Sequence, residues 1–245
     1  EPCIQACEML LQERVPKDIA ISYPRVEEVR ASSYVTTNKG TTIRRIHASL
    51  TSPPTTHLLS NGRYAVMLTA TGAGYSRWGD VAITRWQQDC TSDSSGGFIM
   101  MRDVESAAQW SSTALPFTED KHIHSCVFTE DHAEFTTQKC NLTTTMEVLV
   151  SGEDDGEVRR LTVSNKGHFS HEVEFTSFCE LVLAKAASDN AHPVFSKMFV
   201  QTEYLEQYNA LIATRRTREE HEPEIWVAHF AVVEGEVCEP VQFET

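Results

Sequence analysis

Basic residues are scarce in this sequence. Against 35 aspartates and glutamates there are only 21 lysines and arginines, which leaves a formal net charge of −14 at pH 7 over 245 residues. A protein that binds phosphate groups needs a positive surface, because each bound phosphate must be neutralised by a cation. We therefore expect neither nucleic acid nor an anionic membrane surface among the partners of this chain.

Long apolar runs and internal repeats are also missing. No segment approaches the roughly 20 consecutive apolar residues that a membrane-spanning helix needs, and no signal peptide opens the chain. The sequence begins with a glutamate inside a predicted helix and stops at a threonine inside a predicted strand. We expect it to be a piece of a larger cytoplasmic protein, truncated at the C-terminal edge of its domain.

Cysteine-pairing motifs are absent as well. The seven cysteines are an odd number scattered along the chain, and no pair has the CxxC spacing. Such a set is typical of reduced thiols in a cytosolic protein. A chain of this length buries a sizeable core without disulfides or a structural metal, so we predict that all seven thiols are free.

Helix signals are confined to the N terminus. Apolar residues recur at helical spacing only between Glu1 and Arg14, and Pro16 ends that segment. We interpret it as a linker helix whose apolar stripe needs another domain to cover it. Because residues 17–38 show little patterning, we assign residues 1–35 to a linker helix and an irregular segment, and residues 36–245 to one domain.

From Thr41 onward the sequence favours β-strands. Apolar and polar residues alternate, as around Met146 and Val148, and turn signals recur about every ten residues, a spacing typical of β-sandwiches. We therefore predict an all-β domain, with a bulge between Phe175 and Phe178. The predicted strands are Ile43–Ser49, Tyr64–Ala70, Val81–Trp86, Phe98–Arg102, His122–Phe128, His132–Cys140, Thr143–Val150, Glu157–Ser164, Glu172–Ala184, Lys197–Glu203, Ala210–Arg215 and Ile225–Val232.

The stretch from Leu58 to Arg102 carries the densest functional signals. Gly72 and Gly74 predict a backbone bend, followed by an exposed loop. Sugars offer an apolar CH face to aromatic rings and hydroxyls to arginine, serine and aspartate. On composition alone, core tryptophans with turn glycines are the favoured alternative. The candidate sugar-binding residues of the loop are Tyr75, Ser76, Arg77 and Trp78.

One strand carries a weak metal signal. His122, His124 and Cys126 alternate along it, so their side chains share one face, as zinc ligands on a strand can. No fourth ligand is apparent, and Ile123 and Val127 would then define the core face. We predict no metal.

Catalytic carboxylates are not apparent in the sequence. Cleavage of a glycosidic bond needs an acid with a raised pKa facing a second carboxylate or phosphate. Asp154 and Asp155 lie in a predicted hairpin turn and are expected to be solvated. A sugar mutarotase or epimerase would need a buried glutamate with a histidine near an open sugar, and His192 and Glu203 are the pair that could be proposed.

Several strings resemble the N-terminal β-sandwich of the cellobiose-phosphorylase-like enzymes, glycoside hydrolase family 94 (formerly glycosyltransferase family 36). The resemblance is greatest to the copy found in cyclic β-1,2-glucan synthases, and it runs from about Val15 to the last residue. One departure is Ala73, where the family pattern has glycine, which puts the flexibility of the predicted loop in doubt. The matching strings are His57–Tyr64, Gly74–Trp78, Thr84–Trp86 with Asp89, Ala191–Val200, Thr202–Tyr204 and Ala213–Arg216.

The resemblance implies a galactose-mutarotase-like super-sandwich, preceded by the short linker helix. In the relatives, the general acid and the phosphate-handling residues lie in an (α/α)6 barrel C-terminal to the sandwich. The chain is therefore expected to lack catalytic residues and cofactors, and to brace such a barrel in its parent protein, which other segments could anchor in a bacterial inner membrane. Arg85 and Asp89 join the four loop residues as candidate contacts near the sugar site.

The implied partners are that barrel, a β-glucan or oligosaccharide, and a second copy in a homodimer. A neutral glucan is indifferent to the negative charge of the chain. Three alternatives stay open: a free-standing β-glucoside phosphorylase, a self-sufficient mutarotase-like enzyme, and a pure carbohydrate-binding module. Activity on free aldoses would identify the second, and glucan affinity without any barrel would identify the third.

Overall fold

The computed structural model describes residues 33–38, 41–47, 54–87, 95–117, 123–139, 141–217, 224–237 and 239–245. The strands in these ranges are β1 (Ser33–Asn38), β2 (Thr41–His47), β3 (Thr56–Ser60), β4 (Tyr64–Thr69), β5 (Gly74–Trp78), β6 (Val81–Thr84), β7 (Phe98–Asp103), β8 (Gln109–Ser111), β9 (Ile123–Phe128), β10 (His132–Lys139), β11 (Leu142–Val150), β12 (Glu157–Asn165), β13 (Val173–Phe178), β14 (Leu181–Lys185), β15 (Val200–Leu205), β16 (Ala210–Arg215) and β17 (Trp226–Phe230). The helical elements are α1 (Ala186–Ala191), α2 (Pro193–Lys197) and a 3-10 turn, Glu206–Tyr208.

The predicted all-β fold class is confirmed. A six-stranded sheet has the order β1-β2-β9-β10-β11-β12, and a five-stranded sheet has the order β14-β6-β5-β4-β3. Two three-stranded sheets complete the described part: the β7 sheet, β13-β7-β8, and the β16 sheet, β15-β16-β17. None of the helices in the described ranges is long and apolar enough to cross a membrane. The predicted linker helix, Glu1–Arg14, lies outside the described residues.

The main core lies between the six-stranded and the five-stranded sheets. Alternate residues of β4, Val66 and Leu68, are 0% and 2% exposed and belong to one buried cluster with Phe135 and Val148 of the facing sheet. This is the period-2 pattern of strands that bury one face each. The alternation seen in the sequence thus predicts which residues of these strands face inward.

The single strand predicted over Glu172–Ala184 is two strands that join different sheets. β13 pairs with β7 in an unbroken register, so the predicted bulge between Phe175 and Phe178 is wrong. Both phenylalanines are exposed, and their spacing therefore carries no information about the core. The irregularity lies in β14 instead, between Leu181 and Ala184.

Four strands are absent from the sequence-based prediction: β1, β3, β5 and β8. β1 falls in the segment predicted to be irregular and is formed by antiparallel pairing with β2. β8 has only three residues, yet its Trp110 is 1% exposed, in a small core with Met101 and Leu142. Such strands form because a neighbour offers backbone partners, which local sequence patterns do not report.

Candidate functional site

The segment predicted to be an exposed loop is strand β5, the central strand of the five-stranded sheet. It pairs with β4 from Gly74 opposite Leu68 to Trp78 opposite Tyr64. Side chains alternate along a strand, so Ser76 and Trp78 share the side of the sheet that carries the core, while Tyr75 and Arg77 lie on the outer side. The prediction that all four residues are presented together on a loop was wrong.

Close packing explains the two glycines that suggested a loop. A Cβ at Gly72, whose φ is +97°, would lie 2.3 Å from the Thr113 Cβ, and a Cβ at Gly74 would lie 2.0 Å from the carbonyl oxygen of Met67. Ala73 between them is fully buried and packs with Phe98 in a second small core. The glycines therefore allow backbone segments to approach closely.

Ser76 is held inside the domain. Its Oγ donates a 3.0 Å hydrogen bond to Oε2 of Glu157, while Nε of Arg159 donates to Oε1 of the same carboxylate at 3.2 Å. Burial raises the pKa of the neighbouring Tyr64 hydroxyl, and the Glu157 charge raises this pKa further. Because Ser76 is 1% exposed, this arrangement ties β5 to β12 and leaves no surface for a sugar.

Trp78 lies at the corner where two turns meet, and it is 40% exposed. Its Nε1 donates a 2.8 Å hydrogen bond to Asp155, whose other oxygen lies 3.1 Å from Nε of Arg63. Asn61 anchors the β3–β4 turn to the β11–β12 turn through hydrogen bonds to the carbonyls of Ser151 and Asp154. We call Trp78, Arg63 and Asp155 the Trp78 corner; it combines an accessible indole ring with a carboxylate and a guanidinium.

The outer side of the five-stranded sheet carries an apolar row. Leu58, Met67 and Tyr75 are directly opposite one another on β3, β4 and β5, and the Tyr75 ring lies 5.7 Å from the Trp86 ring. Leu58 is 59% exposed and Met67 and Tyr75 are half-buried. Arg77 is exposed beside this row and makes no hydrogen bond or ion pair with the residues that the structure describes. We call Leu58, Met67, Tyr75 and Trp86 the outer row.

Arg85, a predicted sugar contact, is instead part of a buried ion cluster. Its Nε and one Nη each lie 2.8 Å from an oxygen of Asp189, and the other Nη lies 2.6 Å from Glu180. The hydrogen bonds to Asp189 raise the pKa of Arg85. Since Arg85 and Asp189 are 6% and 3% exposed, the guanidinium fastens α1 to the end of β6 and does not face solvent.

The remaining predicted residues are dispersed. Asp89 and His122 lie outside the described residues. The Nδ1 of His124 lies 3.1 Å from the Thr137 hydroxyl, and Cys126 is 1% exposed in the main core. Cys126 and Phe128, both 1% exposed, therefore lie on the core side of β9, which is not the arrangement that a metal site on this strand would need. In the described part of the chain no group of three or more histidines, cysteines or carboxylates could hold a metal ion.

His192 and Glu203 do not form the buried pair that a mutarotase-like mechanism needs. His192 separates α1 from α2, Glu203 lies on β15, and both residues are exposed without a hydrogen bond between them. The sequence analysis missed two carboxylates that accept hydrogen bonds from other side chains: Glu157, which Ser76 and Arg159 contact, and Asp189, which Arg85 contacts. The alternation of Glu157, Arg159 and Leu161 along β12 is a signal that could have indicated the first, whereas nothing local indicates the second.

Comparisons with known proteins agree with the fold. The family model of the glycosyl hydrolase 94 supersandwich domain matches residues 39–245. The cyclic beta-(1,2)-glucan synthase NdvB of Rhizobium meliloti (strain 1021) is 38% identical to the chain over 229 residues, which are 94% of this chain and 8% of that protein. The chain thus spans only a small fraction of the length of this curated relative.

Proposed function

The chain belongs to glycosyl hydrolase family 94 through its supersandwich domain, and we propose that it is a non-catalytic, carbohydrate-associated domain of a larger glucan-processing enzyme. The similarity to a relative named as a cyclic glucan synthase, of which the chain matches 8%, supports this proposal. In it, an (α/α)6 barrel elsewhere in the parent chain performs the glycosyl transfer or phosphorolysis. The sandwich braces that barrel and contributes side chains near its sugar site.

The carboxylates around β5 and β6 support a non-catalytic role. Cleavage of a glycosidic bond requires two carboxyl groups, or one with a phosphate, on either side of an accessible sugar. Glu157 is engaged by Ser76 and Arg159, and Asp189 is engaged by Arg85. Asp155 is bonded to Trp78 and Arg63. These three carboxylates are bonded to side chains of neighbouring strands and turns, which they hold together.

The outer row with Arg77 is the observation that carries the proposed contact surface. It places an aromatic and apolar strip next to a guanidinium whose donors are free among the described residues, which suits the CH face and the hydroxyls of a sugar. Because β5 is paired on both sides, its side chains stand on a rigid element, as a positioned binding site requires. Tyr75 and Arg77 on the outer side of the sheet are thus the proposed contacts toward glucan and barrel.

Turnover of glucan by the parent enzyme tests this role. Arg77→Ala should lower kcat/KM for glucan by about 10-fold or more, while the unfolding free energy of the 245-residue chain changes by less than about 1 kcal/mol, because the side chain is exposed. Arg102→Ala is the matched control, since Arg102 is an exposed arginine of the β7 sheet, 3.0 Å from Glu174. Equal turnover in both variants would contradict the proposed contact.

A second measurement tests the absence of catalysis in the chain itself. The purified chain, incubated with phosphate and β-linked glucosides, should release no sugar phosphate above a buffer control. Phosphorolysis by the chain would refute the non-catalytic role and favour a free-standing phosphorylase.

A further inference from the structure

The β16 sheet has a cleft on one face that the proposed function leaves unused. Gln201, Thr214 and Trp226 are directly opposite one another on β15, β16 and β17, and Glu203 and Ile212 form the next row. With Thr202 they line a shallow cleft of about 370 Å³. We call it the Trp226 cleft. Its volume lies in the range of small-ligand sites, which is about 300–1,000 Å³.

Most polar side chains of the Trp226 cleft are accessible and make no hydrogen bond within the described part of the chain. Trp226 is 58% exposed, and within the described part of the chain neither its Nε1, nor the Glu203 carboxylate, nor the Gln201 amide has a hydrogen-bond partner. Thr214 donates its hydroxyl proton to the Ile225 carbonyl at 2.8 Å, so its oxygen can only accept a further bond. The cleft therefore offers an aromatic plane, an acceptor-only carboxylate and an amide that both donates and accepts.

The opposite face of the same sheet is already occupied. Ala213 of β16 is 4% exposed in the main core, and Tyr204 of β15 stacks against Phe243 of the C-terminal segment at 4.0 Å. Tyr204 alternates with Glu203 along the strand, so this C-terminal contact lies on the side away from the cleft. The sheet is thus held in place from behind, whereas the described residues leave the side chains of its cleft face exposed or half-buried.

We propose that the Trp226 cleft binds a neutral gluco-oligosaccharide, as a glucan-holding site separate from the outer row. The CH face of a pyranose would stack on the indole ring of Trp226, and its hydroxyls would bond to Glu203 and Gln201, which lie on the neighbouring strand. The Glu203 carboxylate repels an anionic ligand, and none of the described residues that line the cleft is a lysine or arginine that could neutralise the ligand's charge. A second site on one chain raises the effective concentration of glucan at the first. The choice of glucan rests on the proposed function, whereas the preference for a neutral polyhydroxyl ligand does not.

The test is a titration of the 245-residue chain with ¹⁵N-labelled tryptophan. The four indole N–H signals report on different places, since Trp110 is buried, Trp86 lies beside Tyr75, Trp78 is bonded to Asp155 and Trp226 is exposed. Trp226→Phe assigns the Trp226 signal by its loss while keeping an aromatic ring. The probes are a β-1,2-linked glucotetraose and, as a charged comparison, a tetrameric oligogalacturonide.

The Trp226 signal is expected to shift with the glucotetraose, and the Kd should rise about 10-fold in Trp226→Ala. The oligogalacturonide should bind at least about 10-fold more weakly, and Glu203→Gln should reduce that difference. Tyr208→Ala, which removes a ring that is 68% exposed on the turn between β15 and β16, is the matched control and should leave the Kd within about 2-fold. The Trp226→Phe variant should still bind the glucotetraose, as measured by calorimetry, because it keeps an aromatic ring.

An unshifted Trp226 signal at about 10 mM sugar, or an unchanged Kd in Trp226→Ala, overturns the proposal. A shift of the Trp78 or Trp86 signal alone also overturns it, yet that result supports the proposed contact near β5. The two proposals therefore fail separately, because loss of glucan turnover on changing Arg77 does not depend on the Trp226 cleft.

Discussion

Gly72 and Gly74 are required by space at the start of β5. A methyl group at Gly74 would overlap a backbone atom, the Met67 carbonyl oxygen at 2.0 Å, which no rotamer change can remove. At Gly72 a methyl group would meet the Thr113 side chain, and the positive φ adds strain. These glycines let the chain turn from β4 into β5 while it packs against the segment around Thr113. The packing leaves no room for a Cβ at either position.

We predict that Gly74→Ala destabilises the chain by about 1–3 kcal/mol or more, since overpacking against a backbone atom must shift the strand. Urea unfolding followed by circular dichroism measures this change. Gly156→Ala is the control, because nothing lies within 4 Å of its Cβ position. Its effect should stay within about 1 kcal/mol and can be stabilising. Equal effects of the two substitutions would contradict the packing account.

The helical elements α1 and α2 depend on two buried arginines. Each helix has only five or six residues, which is too short to be stable by itself. Arg85 binds Asp189 of α1, and Arg215 of β16 donates to the carbonyls of Val182 and Ser196. The helices are thus clamped between the five-stranded sheet and the β16 sheet.

Arg85→Ala should cost about 3–5 kcal/mol, because it leaves the buried Asp189 carboxylate without its partner. Replacing both residues, as Arg85→Met with Asp189→Leu, should recover most of this loss. Lys185→Ala is the control: its ion pair with Asp80 spans 3.0 Å between side chains that are 70% and 71% exposed, so its loss should cost less than about 1 kcal/mol. Urea midpoints of the four proteins form the comparison, and a double variant no more stable than Arg85→Ala would refute the charge-pair explanation.

In the described part of the chain, the largest core is the one that the six-stranded and five-stranded sheets share. Cys126 lies in it at 1% exposure, whereas Cys179 is half-buried, and neither forms a disulfide. Burial raises the pKa of both thiols. The thiolate is the reactive form of cysteine, so the reactivity of Cys126 reports on opening of the entire sandwich.

In native buffer, alkylation should modify Cys179 before Cys126, and Cys126 should become reactive only with global unfolding. Mass spectrometry of peptides after timed labelling measures both rates across a urea series. Without reductant, the unfolded chain should show seven modified cysteines, which also tests the five thiols outside the described residues. Rapid native labelling of Cys126 would show that the two sheets separate locally.

The amino-acid sequence by itself determined the strand content and the family. Alternating residues predicted most strands within a few positions, because a strand that buries one face must show period 2 in its sequence. Strings such as Gly74–Trp78 and Ala191–Val200 predicted the family that the comparisons confirm. Both kinds of information are local, because an alternating strand pattern or a family-specific string can be recognised from a short segment of chain.

Only the tertiary structure decided what each of these segments touches. Period 2 does not say which strand lies alongside, so β5 could not be recognised as a central strand from its own residues. Likewise, Arg85 bonds to Asp189, which is 104 residues away in the sequence, and Ser76 bonds to Glu157, which is 81 residues away. Those pairings depend on how the sheets stack, and no local pattern encodes that stacking. This is why the burial of Ser76 and Arg85, two predicted sugar contacts, could not be recognised from the sequence.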